Sequence, residues 1–387
     1  MSVIPEPAYF DAAVDEFVPS MDPSRRTARA RSQGTATYPH PTPLPQVGPL
    51  QNSADVIPWA GRHRERERAV KKQVDEQLSL AEALVGRRLG TNARLERIDA
   101  LVKWYRFEKL LARLHEAATG RPSYPPLAMF KALLLQQWYG LSDAELEEAL
   151  IDRLSFRRFI GLGFEAAMPD HTTLCRFRND VAAAGLSDRL FDEMAHQLDR
   201  LGLVLKRGTL IDATLVEAAV RPSGSAAEPS DPDAAFSKRA GKPGTTFGFK
   251  AHLAVDQGSG LVRGAHLTPA NVNETVVADA LIQGDEKAIY ADSAYDTKTR
   301  RAALRARGVK DRIQHRPNKH HPVLGHWKKK RNQLIGRIRG RVETTFAVLK
   351  RSYGYVRVRY LGLAKNQSHL HLLCLALNLR RALVLTA

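Results

Sequence analysis

Three carboxylates stand out in the sequence as candidates for chemistry. Asp212 interrupts the apolar segment TLIDATLV, where an unpaired charge is costly to bury. Asp292 ends a second apolar segment, IYAD, and Glu343 is the only acid among the cations between Lys328 and Arg359. Carboxylate oxygens are ligands that Mg²⁺ prefers, and two such ions activate the nucleophile and stabilise the leaving oxygen of a phosphoryl transfer. The three residues therefore indicate a candidate site for metal-dependent phosphodiester chemistry.

Each carboxylate also has an ordinary structural interpretation, which the sequence leaves open. Asp212 would then cap a local turn, and Asp292 would be an Asx-turn residue. Glu343 would form an ion pair with Arg339, which lies four residues earlier and shares its face if the segment is a helix. The catalytic interpretation is favoured over these structural ones because the three residues lie on two predicted strands and one predicted helix that can converge. They also lie next to the most cationic part of the chain.

The positive charge of the chain is concentrated beside the last of these carboxylates. The 387 residues contain 59 Lys and Arg against 41 Asp and Glu, which gives a net charge of +18. Residues 298–359 hold 20 of the cations and two acids, so this segment carries as much net charge as the whole chain. Its interleaved aromatic and apolar residues predict a nucleic-acid surface, and a solvated cationic surface is the alternative.

Composition also excludes several classes of protein. The two cysteines, Cys175 and Cys374, are too few for a disulfide framework, which indicates a protein of a reducing compartment. Both are expected to be buried and to act as small apolar side chains. No run of 18 apolar residues occurs, and the start of the chain is acidic, so neither a membrane span nor a secretory signal is expected. We therefore expect a cytoplasmic protein.

Turn residues and apolar periodicity predict three parts. Residues 1–60 are rich in Pro and Arg and are expected to form a disordered tail. Residues 61–200 are expected to be helical and to serve DNA binding or oligomerisation. Residues 205–387 are expected to form the catalytic domain, with a polar insertion at about 222–245. Within the helical part, we expect helices over about 63–85, 97–117 and 126–139, followed by one that Ser142 and Glu145 cap and one that begins near Asp170.

The helical part admits two interpretations. Its short helices, the tight turn at Gly140 and a last helix carrying Arg176 and Arg178 resemble a helix-turn-helix module. An ordinary helical bundle produces the same pattern.

The third part alternates strands and helices. Strands are expected over 208–220, 247–256, 261–270, 288–292 and 310–316, with Gly258–Gly260 joining the second and third. Helices are expected after Asn271 or Asn273, over 298–308 with Gly308 at the end, and over 332–353. This order predicts an RNase H-like domain of the α+β or α/β class, in which a mixed sheet with flanking helices follows the all-helical region.

Four passages of the chain resemble bacterial DDE transposases of the insertion-sequence-five type, over about residues 98–387. They are RPSYPPLAMFKALLLQQWYGLSDAELEEAL with FRRFIGL, then PDHTTLCRFR, then LIDATLVEA with YADSAYDT, and RGRVETTFAVLKRSYG. The family's last motif is Tyr, Arg, Glu and Lys, which here reads Gly336, Arg339, Glu343 and Lys350. The tyrosine is therefore replaced, whereas the three carboxylates are kept.

The resemblance implies a DNA transposase that cleaves element ends and joins them to target DNA. Asp212, Asp292 and Glu343 would be the catalytic residues and would bind Mg²⁺, with Mn²⁺ as a substitute. The implied partners are double-stranded DNA, both as terminal inverted repeats and as target, and further copies of the chain in a homodimer or larger assembly. The resemblance also implies an association with the bacterial nucleoid and no membrane partner. The residues expected to contact DNA are Arg339, Lys350, Arg337, Arg341, Lys328, Lys329 and Lys330. An inactive DNA-binding regulator and a metal-dependent nuclease are the alternatives.

Weaker candidates lie nearby. His315, His320, His321 and His326 lack the spacing and the cysteines of a zinc site and are expected in a DNA-facing basic loop. Trp327 would either stack on an unpaired base or pack on the core.

Overall fold

The computed structural model describes residues 91–114, 123–163, 165–220, 222, 231–238, 244–317 and 322–387. All of these residues belong to one compact unit. The expected tail, the helix over 63–85, His320 and His321 lie outside the described residues.

The first half of the described chain is helical. The helices are α1 (Ala93–Leu101), α2 (Trp104–Leu111), α3 (Pro126–Tyr139), α4 (Asp143–Asp152), α5 (Leu154–Ile160), α6 (His171–Ala183) and α7 (Leu186–Arg200). Gly140 ends α3 in a left-handed conformation (φ 64°), and Ser142 and Glu145 form the predicted capping box of α4. These boundaries could be predicted because they depend on local chemistry.

The single helix expected over 97–117 is wrong, because the chain breaks between α1 and α2. Val102 is extended, and Lys103 is held by a side chain from a distant helix, since its N–H donates to Gln197 Oε1 at 2.8 Å. Gln197 Nε2 donates in turn to the Lys103 carbonyl at 3.3 Å. A tertiary contact from α7 therefore overrides the helical periodicity of the segment.

The packing of α3 and α6 is that of a bundle. Twelve of the 14 residues of α3 are buried, as in a central helix. Arg178, one of the two cations that suggested a recognition helix, is buried against Asp143 and lies 5.1 Å from the centre of the Tyr360 ring. It therefore serves packing within the protein, whereas Arg176 on the same helix is exposed.

The second half forms a mixed sheet. Its strands are β1 (Thr209–Glu217), β2 (Ala235–Lys238), β3 (Thr245–Asp256), β4 (Val262–Pro269), β5 (Ala288–Ala291) and β6 (Lys310–Ile313). The order is β2-β3-β1-β5-β6. Strand β4 also pairs with β3, at the residues that follow those paired with β2. Strand β3 is antiparallel to both β1 and β4, whereas β5 runs parallel to β1 and β6 runs parallel to β5. The expected RNase H-like arrangement is confirmed, and the polar insertion contributes one strand, β2, which the sequence did not predict.

Helices cover the sheet and connect it to the helical part. They are α8 (Glu274–Val277), α9 (Lys298–Ala306), α10 (His326–Ser352) and α11 (Leu363–Leu385). Asn273, and not Asn271, caps α8, and Gly308 follows α9 with φ 71°. Helix α11 packs against α3, where Trp138 Nε1 donates to the Ala376 carbonyl at 2.9 Å. Within the described residues, none of the helices combines the length and apolar character needed to cross a bilayer.

Candidate active site

Asp212 and Asp292 lie side by side where two parallel strands separate. Strands β1 and β5 are paired at Leu210 and Tyr290, and each aspartate follows its paired residue by two positions. The two carboxylates therefore leave neighbouring strands at the same level of the sheet. The Asp292 carboxylate accepts the Ala294 N–H at 2.8 Å, and that of Asp212 accepts the Ala213 N–H at 2.9 Å.

Helix α10 starts six residues earlier than predicted because its first turns are bonded to β6. Arg331 donates to the carbonyls of Ile313 and Asp311, both at 2.8 Å. Asn332 exchanges two hydrogen bonds of 2.9 Å with the backbone of His315. These contacts fix the position and direction of the helix before it reaches β1.

Two further contacts hold α10 to β1. Arg339 Nη1 donates to Asp212 Oδ2 at 2.9 Å, and Lys350 Nζ donates to Thr214 Oγ1 at 2.7 Å. Asp212 and Thr214 lie two residues apart and so share one face of the strand. The Arg339 partner is thus Asp212, and the expected alternative of an Arg339–Glu343 ion pair is not what the structure contains.

The Asp212 carboxylate carries an unusual charge balance. The pKa of Asp212 is raised to about 6, mainly by burial and to a smaller extent by the nearby carboxylates of Asp292 and Glu274, against the opposing effects of Arg339 and the Ala213 N–H. Side chains of Asp212 and Arg339 are 16% and 19% exposed. An additional cation beside this carboxylate would stabilise its ionised form and lower its pKa.

Glu343 occupies the same helical face as these contacts. It lies four residues after Arg339 and seven before Lys350, so it falls between the two points at which α10 contacts β1. Its side chain is exposed. The structure therefore brings Asp212 and Asp292 together and places Glu343 on the helix above β1. As the described residues stand, no three His, Cys, Asp or Glu side chains are close enough to hold a metal ion.

Two residues that the sequence did not single out border this site. Glu274 opens α8 and forms an ion pair with Lys250 at 3.5 Å. Tyr295 follows Asp292 by three residues and is completely buried. Its place in the passage YADSAYDT was the available signal, because the residues that follow a catalytic strand end commonly line the site.

The rim of α10 presents cations to solvent. Lys328, Lys329, Lys330, Arg337 and Arg341 are all exposed. Trp327 is 77% exposed, so the prediction that it packs on the core is excluded. Lys330 lies 5.8 Å from the centre of its ring.

The comparisons identify the chain. Residues 84–180 match the family described as Transposase domain (DUF772), and residues 205–379 match the Transposase DDE domain. The chain belongs to the DDE transposase family. The first match covers most of the helical part, and the second covers the sheet with α8 to α10 and most of α11. The transposase is therefore an enzyme that acts on DNA and, as the family implies, depends on a divalent metal ion.

This transposase is similar to a solved structure of a piggyBac transposase in a synaptic complex with hairpin DNA. It is 11% identical, with 75% of this chain and 74% of that chain covered and a TM-score of 0.36. This likeness is too distant to place individual residues.

The chemistry of the side chains at this site fits a divalent metal ion. The donor set consists of carboxylate oxygens, which hard cations such as Mg²⁺ prefer. Arg339 donates to Asp212 at 2.9 Å, so this carboxylate already faces a positive group. The motif position occupied by tyrosine in related transposases is Gly336, where a Cβ would lie 3.4 Å from Gln314 Nε2. Gln314, which donates to the Asn332 carbonyl at 3.0 Å, thus lies next to that position.

Proposed function

We propose that this transposase, of the insertion-sequence-five type, cleaves DNA at the ends of its element and joins the freed 3′ ends to target DNA. In this proposal Asp212, Asp292 and Glu343 are the catalytic carboxylates and hold Mg²⁺, which Mn²⁺ can replace. The proposal includes a homodimer or larger assembly, since two element ends must be brought together, and action on chromosomal DNA in the cytoplasm.

The observation that carries the proposal is the convergence of β1, β5 and α10. Asp212 and Asp292 leave adjacent strands at one level, and Arg339 connects α10 to Asp212 at 2.9 Å. This contact supports a place for Glu343, one helical turn further on, above the same pair of aspartates.

The bound metal would activate the attacking oxygen and stabilise the leaving one. The chain's own residues supply orientation. The Ala294 N–H fixes one oxygen of Asp292, and the Ala213 N–H fixes one of Asp212. Lys350 keeps α10 against β1 through Thr214, and in this proposal Lys350 and Arg339 both also contact DNA near the scissile phosphate.

A strand-transfer assay tests the proposed reaction. Purified full-length protein is incubated with Mg²⁺, a duplex carrying the terminal repeats of the element and a supercoiled target plasmid. We expect 3′-hydroxyl ends at the repeat boundary and products in which these ends are joined to the plasmid. Cleavage without joined products would indicate a nuclease, and binding without cleavage would indicate a regulator; either result overturns the proposal.

The DNA-binding surface is proposed to follow the exposed cations of α10. Arg337 and Arg341 lie on the solvent side of the helix, and Lys328–Lys330 lie at its start. Exposed cations without buried partners are suited to phosphate contacts, which position DNA without reading its sequence. Trp327, exposed beside the lysines, is suited to stacking on an unpaired base.

Replacing Lys328, Lys329 and Lys330 together by Ala is expected to weaken end-DNA binding and to change its salt dependence. Each phosphate contact contributes about 0.9 to the slope of log K against log salt, so the slope should fall in magnitude by about 3. Fluorescence anisotropy of a labelled end duplex across a salt series measures this change.

The matched control replaces three exposed lysines outside residues 298–359, namely Lys238, Lys287 and Lys365. For this control variant, the slope of log K against log salt is expected to stay at the wild-type value. An unchanged slope in the α10 variant, or an equal fall in the control, would show that the start of α10 does not contact phosphate.

A further inference from the structure

Tyr295 has a buried hydroxyl that lacks a partner. The residue is 0% exposed, and its ring packs with Ile211 and Ala291 in the core beneath the sheet. Among the described residues, its hydroxyl has no hydrogen-bond partner. Such a group costs free energy in the folded protein and calls for an explanation, because most buried polar atoms are paired.

The backbone of Tyr295 is firmly held. Arg300, which is 5% exposed, donates to the Tyr295 carbonyl at 2.7 Å and to the Thr275 carbonyl at 2.7 Å. Thr275 Oγ1 donates to the Ala294 carbonyl at 3.3 Å. The loop after Asp292 is thereby attached to the start of α8, so the hydroxyl is not left unpaired by a loosely placed side chain.

The surroundings of the hydroxyl are acidic. Burial raises the pKa of Tyr295, and the negative charges of Glu274, Asp212 and Asp292 raise it further. The phenol therefore stays protonated and acts as a hydrogen-bond donor beside three carboxylates that can accept. Two of these are the proposed metal-binding aspartates, and Glu274 lies next to Thr275 at the start of α8.

Tyr355 provides an internal comparison. It is 1% exposed, and its hydroxyl also lacks a partner among the described residues. Burial and Cys374 account for the raised pKa of Tyr355, and no carboxylate contributes. An unpaired hydroxyl beside carboxylates is therefore a property of Tyr295 and is not shared by this second buried tyrosine.

We propose that Tyr295 is a positioning residue of the transposase site, whose hydroxyl donates its one hydrogen bond to a carboxylate of the neighbouring acidic group, Asp212, Asp292 or Glu274, when the cation is bound. The inference rests on the proposed function, because it requires Asp212 and Asp292 to hold the cation. The hydroxyl remains unpaired before loading and is used when the carboxylates close around the cation. Donors that orient metal-binding carboxylates act in this way in other metal sites.

Calorimetric titration with MnCl₂ tests the inference on the full-length protein bound to an end duplex. Tyr295→Phe is expected to weaken Mn²⁺ binding about 10-fold, as is usual for loss of a group that orients metal ligands. Its melting temperature without Mn²⁺ should not fall, since the hydroxyl removed has no partner in that state. Tyr355→Phe, the matched control, should leave Mn²⁺ binding unchanged.

Asp292→Asn, titrated in parallel, separates the two proposals. If Asp292→Asn loses Mn²⁺ binding while Tyr295→Phe binds as tightly as wild type, the role of Tyr295 is wrong and the proposed site stands. If wild type does not bind Mn²⁺, or Asp292→Asn binds it normally, the proposed site fails and the inference fails with it. An equal loss in Tyr355→Phe would also overturn the inference, because the effect would then belong to any buried tyrosine.

Discussion

Asp292→Asn is expected to abolish cleavage and strand transfer while leaving DNA binding and stability nearly unchanged. Asn keeps the oxygen that accepts the Ala294 N–H, so the turn after β5 is preserved. The variant lacks the charge that holds a cation. Stabilisation by a bound metal is worth several kcal/mol and each 1.4 kcal/mol is a factor of ten, so the cleavage rate should fall by about 10³-fold or more. Single-turnover cleavage of an end duplex, beside anisotropy with the same duplex, measures both quantities.

Glu217→Gln is the matched control for this variant. Glu217 lies on β1, five residues and about 16 Å from Asp212 along the strand, and forms an exposed ion pair with Arg357 at 2.9 Å. Its neutralisation removes the same charge from the same sheet and should leave cleavage at the wild-type rate. Wild-type cleavage by Asp292→Asn would remove that residue from the site.

Glu343→Gln is expected to reduce cleavage by a similar factor of about 10³, because the proposed site needs a third carboxylate. The protein should remain as stable as wild type, since Glu343 is exposed and its side chain forms no ion pair within the described part of the chain. Single-turnover cleavage and urea unfolding of the same preparation measure the two effects.

Glu274→Gln tests where the third carboxylate lies. Glu274 already influences Asp212 in the structure, whereas Glu343 is assigned from its position on α10. Glu274 is not one of the proposed metal ligands, so its neutralisation should lower the cleavage rate only about 10-fold. Full activity of Glu343→Gln combined with inactivity of Glu274→Gln would transfer the catalytic role to Glu274.

Local chemistry explains what the sequence predicted well. The capping box at Ser142, the end of α3 at Gly140 and the hairpin of β3 and β4 each depend on residues within a few positions of one another. The proximity of Asp212 and Asp292 was predictable for a related reason. Asp292 follows the end of an apolar strand, Asp212 lies inside another, and ligand sites are expected at the carboxyl edge of such sheets.

Tertiary contacts explain what the sequence did not predict. The cationic start of α10 has weak helical periodicity, and its bonds from Arg331 and Asn332 to the end of β6 extend the helix by six residues. Gln197 breaks the segment between α1 and α2 in the same way. Strand β2 forms because the free edge of β3 is available for pairing.

The site shows the same limit. The resemblance implied that Arg339 contacts DNA, but its guanidinium is held by Asp212, a contact that only the fold reveals. Tyr295 lies in the passage YADSAYDT, but nothing in the sequence set it apart from its neighbours. Its unpaired hydroxyl becomes visible only when Asp212, Glu274 and the loop after β5 are placed together.

The most direct measurement is the position of Mn²⁺ in crystals of the full-length protein bound to an end duplex, located by its anomalous scattering. The account predicts a peak coordinated by carboxylate oxygens of Asp212 and Asp292, with Glu343 at the same site and Arg339 displaced from Asp212. A peak bound elsewhere, with the Arg339–Asp212 ion pair intact in the loaded complex, would contradict it.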